Sequence, residues 1–161
     1  MKVSVSILSS SIKAADITKK LDKTVADYIH LDIMDGKFTE NKTWTFGEVK
    51  KIISYSKLPL DVHLMVNNPE KYIEDYAMLN TSYLTFHYEA VKDVEKMIKM
   101  IKDYGLKVGI SICPDTPVEV LFPYLKELDQ VLIMSVVPGK SGQSFIETSP
   151  EKISKLKEEI I

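Results

Sequence analysis

The sequence predicts an α/β fold with a parallel sheet, because strand and helix patterns alternate six times along its 161 residues. Such alternation implies parallel strands joined by right-handed crossover connections. One face of nearly every predicted strand is aliphatic, and the other is small or polar. An open sheet covered by helices on both sides would be apolar on both faces. The pattern therefore favours a TIM-type (β/α)8 barrel, with about six of its eight strand–helix units in this chain.

Strands are predicted from period-two alternation of apolar residues, and helices from apolar residues three and four positions apart. The predicted strands are 2–8, 28–35, 58–66, 83–89, 107–113 and 130–137. The predicted helices are 12–23, 47–56, 69–79, 93–104, a short or bent helix from Pro117 past Pro123, and a final helix from Ser149. Asn68 is expected to cap the third helix, and Gly105 is expected to close the fourth in a left-handed conformation.

Composition excludes several classes of protein. Hydrophobic residues make up 45% and charged residues 27% of the chain, with a net charge of −2. These values are typical of a soluble globular protein and show no nucleic-acid footprint. No segment approaches the roughly 18 apolar residues that span a membrane, and the first residues form a strand pattern, not a signal peptide. With Cys113 as its one cysteine, the chain is expected to be a cytoplasmic single domain, 1–161, without an internal disulfide.

Two polar patterns on neighbouring strands indicate a metal site. His30 and Asp32 share one face of the second strand, and His63 has the equivalent polar face of the third. The histidines lie in the later half of their strands, at the end that carries the site in parallel α/β folds. Two imidazoles and a carboxylate suit Zn²⁺ or Fe²⁺. We therefore predict that these three side chains bind a divalent metal.

Nearby polar residues have more ordinary explanations. His87, taken alone, is expected to be a core histidine with a satisfied hydrogen bond. Asp35 lies on the opposite face of the second strand and is expected to hydrogen-bond the following turn. Asp61 shares the face of His63 one layer deeper, where it could orient a ligand histidine. No base is positioned to activate Cys113, so a nucleophilic role is not expected.

Methionines and a glycine-bearing loop accompany these residues. Three methionines fall on inward positions of their strands: Met34, Met65 and Met134. They are either core filler or an apolar collar around a reacting carbon. The loop after the sixth strand contains Gly139, Lys140, Ser141 and Gly142. It is either a flexible loop or a turn whose backbone N–H groups bind a phosphate.

The order of motifs along the whole chain resembles the ribulose-phosphate 3-epimerase family. The matching segments are 6–8, 30–36, 61–66, 85–87, 107–109, Met134, 137–139 and 142–143. The two histidine motifs are the most specific of them. Family members are (β/α)8 barrels that interconvert ribulose 5-phosphate and xylulose 5-phosphate, a step of the pentose phosphate pathway. They use a divalent metal, commonly zinc or iron, with manganese and cobalt as further options.

This resemblance implies roles for individual residues and a small phosphorylated ketose as the partner. His30, Asp32 and His63 would be metal ligands, and Asp32 would also be one of two acid/base carboxylates. Ser6 and His63 would contact substrate. The three methionines would line the reacting carbon. The phosphate, or the substrate's path to it, would lie near Gly139, Lys140, Ser141 and Gly142.

Some positions depart from the family pattern. The second catalytic aspartate of the family, also its fourth metal ligand, belongs to a seventh strand, and the main phosphate-binding turns follow strands seven and eight. These features are absent from the 161 residues. Val137 stands where an acidic or amide residue is usual, and the loop 38–41 lacks the usual proline. We therefore expect a barrel that is incomplete at its C-terminus, with little or no epimerase activity on its own. Its unpaired edge strands would favour self-association, including a homo-oligomer.

Other functions stay open at this point. The loop changes leave room for a different ketose, such as allulose 6-phosphate. An aldolase or decarboxylase of another phosphate-binding barrel family would usually have a lysine on an inward strand position, and none occurs at the layer of His30 and His63. A non-catalytic, truncated metal-binding remnant would bind metal without turning over substrate.

Overall fold

The computed structural model describes residues 1–8, 13–140 and 142–160. Six parallel strands form one sheet, and their order in the sheet is their order along the chain. The strands are β1 (Ser4–Ser6), β2 (Tyr28–Met34), β3 (Leu60–Met65), β4 (Thr81–His87), β5 (Lys107–Ile112) and β6 (Gln130–Ile133). The sheet curls into a half-barrel of the TIM type, which confirms the predicted fold class.

Helices occupy the connections between the strands, and a further helix follows β6. The α-helices are α1 (Ala14–Leu21), α2 (Phe46–Ile53), α3 (Ile73–Ala77), α4 (Val94–Asp103) and α5 (Ser149–Ile160). Within the described ranges, 3₁₀ helices cover Pro69–Tyr72, Tyr88–Ala90 and Val118–Glu127. Across residues 1–8, 13–140 and 142–160, no helix is both long and apolar enough to cross a membrane.

The hydrophobic core lies between the outer face of the sheet and these helices. Alternate residues of neighbouring strands, such as Ile29, Val62 and Leu84, are fully buried there. From α4, Ile98 and Ile101 pack into the same core and are also fully buried. Because side chains alternate along a strand, this aliphatic layer fixes the remaining positions of each strand on the concave inner face.

Several local predictions are confirmed and others are corrected. Gly105 has the expected left-handed conformation, with φ of +76°. Asp93, the predicted first residue of the fourth helix, is instead its N-cap and accepts a hydrogen bond from the backbone N–H of Lys96. Asn68 precedes Pro69, but its side chain makes no capping bond. A capping residue is normally extended, whereas Asn68 is left-handed, with φ of 55° and ψ of 59°. The predicted third helix therefore begins as a 3₁₀ helix, Pro69–Tyr72, before α3.

Two further differences concern element ends. β6 ends at Ile133 rather than at the predicted Val137, so the chain beyond it is loop. The predicted start of the first helix at Ile12 lies outside the described residues. In α1, the buried face includes Thr18, whose hydroxyl donates to the carbonyl of Ile52 at 2.7 Å. An apolar stripe alone could not identify that position.

Candidate metal centre

The parallel register of the first three strands collects polar side chains on the concave face. β1 pairs Ser6 with His30. β2 pairs His30 with Asp61 and Asp32 with His63. All of these positions have the same orientation on their strands, so they form two adjacent layers inside the half-barrel. The upper layer, toward the carboxyl ends of the strands, contains Asp32 and His63.

The three predicted metal ligands lie together, because the rings of His30 and His63 both face the same oxygen of Asp32. Asp32 Oδ1 lies 3.2 Å from His30 Nε2 and 3.1 Å from His63 Nδ1. One donor atom from each of these residues lies within 4.8 Å of the others. Ligand atoms of a tetrahedral Zn²⁺ site with bonds of about 2.1 Å are about 3.4 Å apart. The donor types and their spacing therefore fit a divalent metal.

His30 is held from behind by Asp61. His30 Nδ1 lies 2.9 Å from Asp61 Oδ2, and the Ser4 hydroxyl donates to the same oxygen at 2.8 Å. The side-chain amide of Gln130, on β6, donates to Asp61 Oδ1 at 3.4 Å. These contacts leave His30 Nε2 as the atom that faces Asp32.

The electrostatic environment of His30, between the carboxylates of Asp32 and Asp61, favours a cation. Burial opposes a charge on His30, but its hydrogen bonds to Asp32 and Asp61 outweigh burial and raise the pKa of His30 to about 10. Burial also opposes a charge on Asp32, yet the hydrogen bonds from His30 and His63 hold its pKa well below the usual range. The imidazolium of His30 thus lies between two carboxylates, and the negative charge exceeds the positive. A metal cation suits this environment.

His63 is electrostatically different from His30. It is buried, and burial lowers the pKa of His63 to about 4 despite its hydrogen bond to Asp32. The imidazole of His63 is therefore neutral at pH 7, which is the form that binds a metal through a ring nitrogen.

A third histidine extends the site. His63 Nε2 lies 2.9 Å from His87 Nε2, and the two rings stack with centroids 4.9 Å apart. His87 Nδ1 lies 3.2 Å from Glu89 Oε2. His87 is a buried histidine with satisfied hydrogen bonds, as predicted, but its partners link it to the metal centre. The sequence signal that could have indicated this link is the pair His87, the last residue of β4, and Glu89, two residues later in the following 3₁₀ helix.

A cavity of about 490 Å³ opens next to the donor set. It is lined by Ser6, Leu8, Asp32, Met34, Met65, Met134, Val136, Val137, Gly139 and Lys140. The three methionines therefore lie on the inward face that alternation predicted, and Ser6 lines the same cavity. The Ser6 hydroxyl also donates to Asp32 Oδ2 at 3.1 Å. Gly142 lies outside this lining, and Ser141 lies outside the described residues.

Two loops meet beside the cavity. The side-chain amide of Asn41, after β2, donates to the carbonyl oxygen of Gly139, after β6, at 2.6 Å. Gly139 has φ of +107°, and a Cβ there would lie 2.9 Å from Thr39 Cβ. Only glycine fits this approach. Lys140 and Glu40 form an exposed ion pair at 3.8 Å.

Other predicted residues have structural roles. Asp35 accepts hydrogen bonds from the backbone N–H groups of Lys37, Phe38 and Asn67, at 2.8, 3.0 and 2.8 Å, and so fixes the turn. Burial, followed by the charge of Glu89, raises the pKa of the Cys113 thiol to about 12. A thiol that is protonated at pH 7 is a poor nucleophile. The premise that no base lies near Cys113 is corrected, because His87 Nδ1 is 3.7 Å from its sulfur.

The fold and the site together define an α/β barrel-type protein with a candidate divalent-metal centre at the carboxyl ends of its strands. The ribulose-phosphate 3 epimerase family matches residues 2–161 by its sequence profile. The chain belongs to this family, which makes it an epimerase, an isomerase that acts on carbohydrates.

Individual relatives agree with this assignment. The chain is 40% identical over 158 residues to "Ribulose-phosphate 3-epimerase" of Bacillus subtilis (strain 168), covering 98% of this chain and 73% of the relative. It is 38% identical over 154 residues to the protein of the same name from Chlamydia pneumoniae, and the match covers 92% of this chain and 67% of that relative. It is 41% identical over 152 residues to the protein of this name from Treponema pallidum (strain Nichols), and the match covers 94% of this chain and 70% of that relative. The chain thus spans 67 to 73% of the length of these relatives.

A solved structure supports the fold alone. The N-terminal domain of an aldolase candidate from Bacteroides vulgatus superimposes with a TM-score of 0.66 at 13% identity, covering 99% of this chain and 60% of that one. At this identity the likeness carries no information on chemistry.

Proposed function

We propose that this chain epimerises a phosphorylated ketose, interconverting D-ribulose 5-phosphate and D-xylulose 5-phosphate. The observation that carries this proposal is the convergence of His30 Nε2, Asp32 Oδ1 and His63 Nδ1 beside a methionine-lined cavity. The relatives named above bear the name of this activity. A relative from Oryza sativa is named as a cytoplasmic isoform, and we propose a cytoplasmic location for this chain as well.

Asp32 is the proposed proton carrier on one face of the substrate. Inversion at the carbon next to a ketone requires removal of its proton and return of a proton on the opposite face, through an enediolate. Asp32 Oδ1 faces the histidines, while Oδ2 faces Ser6 and the cavity. The carboxylate is ionised and can therefore accept the proton.

The three ligands His30, Asp32 and His63 would hold the metal. When bound, a divalent cation supplies Lewis-acid stabilisation of the negative charge that develops on the substrate oxygens. Nitrogen and carboxylate donors favour zinc or iron, with manganese or cobalt as alternatives.

The methionines and the loop after β6 would position the substrate. Met34, Met65 and Met134 present an apolar wall to the reacting carbon and keep water away from it. Lys140 also lines the cavity, and its positive charge would attract the phosphate. We propose phosphate contacts for Lys140, Gly139, Ser141 and Gly142.

The return of the proton requires a second group. Among the described residues that line the cavity, Asp32 is the one carboxylate. We therefore expect the 161-residue polypeptide to catalyse net epimerisation slowly, because loss of one member of an acid/base pair costs about 10²- to 10⁴-fold in rate. Self-association through the edges of β1 and β6 remains part of this proposal.

Solvent exchange tests the half of the reaction that Asp32 can perform alone. The zinc-loaded chain is incubated with ribulose 5-phosphate or xylulose 5-phosphate in D₂O, and deuterium at the carbon next to the ketone is measured by NMR. We expect incorporation from one of the two epimers, and its loss in Asp32→Asn. The control is Asp103→Asn, an exposed carboxylate on α4, which should exchange at the wild-type rate.

Each alternative gives a different result in this experiment. Exchange with allulose 6-phosphate but with neither pentulose phosphate would identify the hexulose phosphate as the substrate. Bound zinc without exchange on any of these ketoses would indicate a non-catalytic metal-binding protein and contradict the proposal.

A further inference from the structure

We propose that His87 and Glu89 are positioning residues, which hold His63 in the tautomer whose Nδ1 lone pair faces the metal site. They form a chain of hydrogen bonds behind His63, from His63 Nε2 to the buried His87 and from His87 to the exposed Glu89 carboxylate. This inference rests on the metal-binding role proposed above for His63. It adds two residues that touch neither the metal nor the substrate cavity.

The argument starts at Glu89, where the carboxylate can only accept hydrogen bonds. Glu89 Oε1 accepts from the backbone N–H of Cys113 at 2.8 Å and from the Thr116 hydroxyl. Burial opposes its charge, but the hydrogen bonds from His87, Thr116 and Cys113 lower the pKa of Glu89 to about 2. The remaining oxygen, Oε2, lies 3.2 Å from His87 Nδ1. His87 must therefore carry its hydrogen on Nδ1.

The tautomer of His87 determines that of His63. A neutral imidazole with its hydrogen on Nδ1 has an acceptor at Nε2. His87 Nε2 lies 2.9 Å from His63 Nε2, so a hydrogen bond forms when His63 carries its hydrogen on Nε2. His63 then has its lone pair on Nδ1, the atom 3.1 Å from Asp32 Oδ1. The opposite tautomer of His63 would put two lone pairs in contact inside the protein.

Asp32 and Glu89 compete for the hydrogen of His63 through the two ends of this chain. Asp32 alone would draw the hydrogen to His63 Nδ1, where it would block the metal. Glu89, acting through His87, draws it to Nε2. Loss of the Glu89 charge should therefore weaken metal binding even though Glu89 is not a ligand.

Packing and further hydrogen bonds hold the residues of this hydrogen-bonded chain in place. His63 and His87 are both buried, and the ring of Phe38 covers His87 with centroids 4.7 Å apart. Glu89, in the 3₁₀ helix that follows β4, is also held by Cys113 and Thr116 from the segment after β5. Each ligand histidine thus has a carboxylate behind it: Asp61 contacts His30 directly, and Glu89 reaches His63 through His87. Such supporting hydrogen bonds orient metal-bound imidazoles.

A second metal ion is the competing explanation of the same atoms. His87, Glu89 and Cys113 also form a group of three donors close enough to share an ion, and Cys113 Sγ lies 3.7 Å from His87 Nδ1. A metal at His87 Nδ1 would replace the hydrogen on which the proposed chain depends. The two explanations therefore exclude each other and predict different metal stoichiometries.

The test is Glu89→Gln, measured by cobalt(II) titration of the 161-residue chain and by its visible spectrum. The amide oxygen would take the side of Cys113 and Thr116, leaving the NH₂ group to donate toward His87 Nδ1. This would reverse both histidine tautomers and put a hydrogen on His63 Nδ1. We expect one cobalt per wild-type chain and an affinity about 10- to 100-fold lower in the variant. Glu127→Gln, an exposed carboxylate paired with Lys102, should bind cobalt as the wild type does.

The outcomes separate this inference from the proposed function. No cobalt binding by the wild type would overturn both. Wild-type affinity and an unchanged spectrum in a folded Glu89→Gln chain would overturn the inference alone. Two cobalt ions per chain with a thiolate-to-cobalt absorption band would favour the second metal. If Glu89→Gln does not fold, ¹⁵N NMR of histidine in the zinc-loaded wild type decides, because hydrogen on His87 Nε2 rather than Nδ1 contradicts the proposal.

Discussion

Asp61 Oδ2 lies 2.9 Å from His30 Nδ1, one layer below the oxygen of Asp32 that faces the same ring. Ser4 on β1 and Gln130 on β6 donate to the two oxygens of Asp61. The aspartate is thereby held from both sides of the half-barrel. It fixes the direction of the His30 ring and leaves Nε2 free to face Asp32. The candidate metal centre therefore depends on a residue that lies below it.

Asp61→Asn should weaken metal binding at least tenfold, since partners of this kind typically contribute 10- to 100-fold to metal affinity. The substitution removes a charge beside His30, so the pKa of His30 in the metal-free protein should also fall from about 10. Zinc competition titration measures the first effect, and NMR titration of the His30 ring measures the second. Asp103→Asn serves as the control. Wild-type zinc affinity in a folded Asp61→Asn chain would show that Asp61 does not orient His30.

The metal ligands could be predicted from the sequence because β2 and β3 pair without interruption. His30, Asp32 and His63 then share a face by simple alternation, and the register from Ile29 to Met34 is continuous. The link to His87 could not be predicted in the same way. The pairing of β3 with β4 shifts between Leu60 and Asp61, and the contact also depends on how both rings are turned. Neither the shift nor the ring orientation leaves a pattern in the sequence.

The fold was similarly predictable in its layers but not in its loops. Alternating apolar residues identified every strand, since burial under the helices determines that pattern. Loop conformation depends on individual backbone angles, such as the left-handed Asn68, and on contacts between distant segments, such as Asn41 with Gly139. These features arise from tertiary packing and not from local sequence.

Gly109→Ala should destabilise the fold by about 1–3 kcal/mol, because it overpacks the inner face of the sheet. A Cβ at Gly109 would lie 2.1 Å from Thr85 Oγ1 and 3.0 Å from Thr85 Cβ. Urea unfolding measures the loss. Gly47→Ala is a matched control, since Gly47 lies in α2 and a Cβ there meets nothing within 4 Å. The free energy of unfolding of Gly47→Ala should be at least that of the wild type, and up to about 0.5–1 kcal/mol higher.

A second substitution distinguishes overpacking from other effects of Gly109→Ala. Thr85→Ala removes Oγ1 and Cγ2, which the new Cβ would meet at 2.1 and 3.1 Å, and leaves only the Thr85 Cβ contact at 3.0 Å. Gly109→Ala should therefore cost less stability in that background than in the wild type. Equal costs in the two backgrounds would mean that Thr85 is not what restricts position 109.

The stabilising contribution of Glu89 should depend on pH in the acidic range. Its pKa is about 2 in the folded protein and 4.5 without the fold, so its charge stabilises the fold fully above pH 4.5. This contribution falls as the pH drops from 4.5 toward 2. At 1.36 kcal/mol per pKa unit, the difference between 4.5 and 2 corresponds to about 3.4 kcal/mol. Because Glu89 is exposed to solvent, screening reduces its contribution to on the order of 1–2 kcal/mol. The difference in unfolding free energy between wild type and Glu89→Gln should therefore shrink by about that amount between pH 7 and pH 2. A constant difference would contradict the low pKa.

Removal of metal should lower the unfolding temperature of the wild type, because a ligand that binds only the folded state stabilises it by mass action. At free zinc 100 times above its dissociation constant, the stabilisation is about 2.7 kcal/mol. Thermal unfolding with zinc and with a chelator measures the difference. His63→Phe, which retains a buried ring but has no ring nitrogen, should lose most of it. The exposed variant Asp103→Asn should retain it. If His63→Phe folds and gains as much stability from zinc as the wild type, the metal binds elsewhere, and the three convergent donors are a hydrogen-bonded polar cluster.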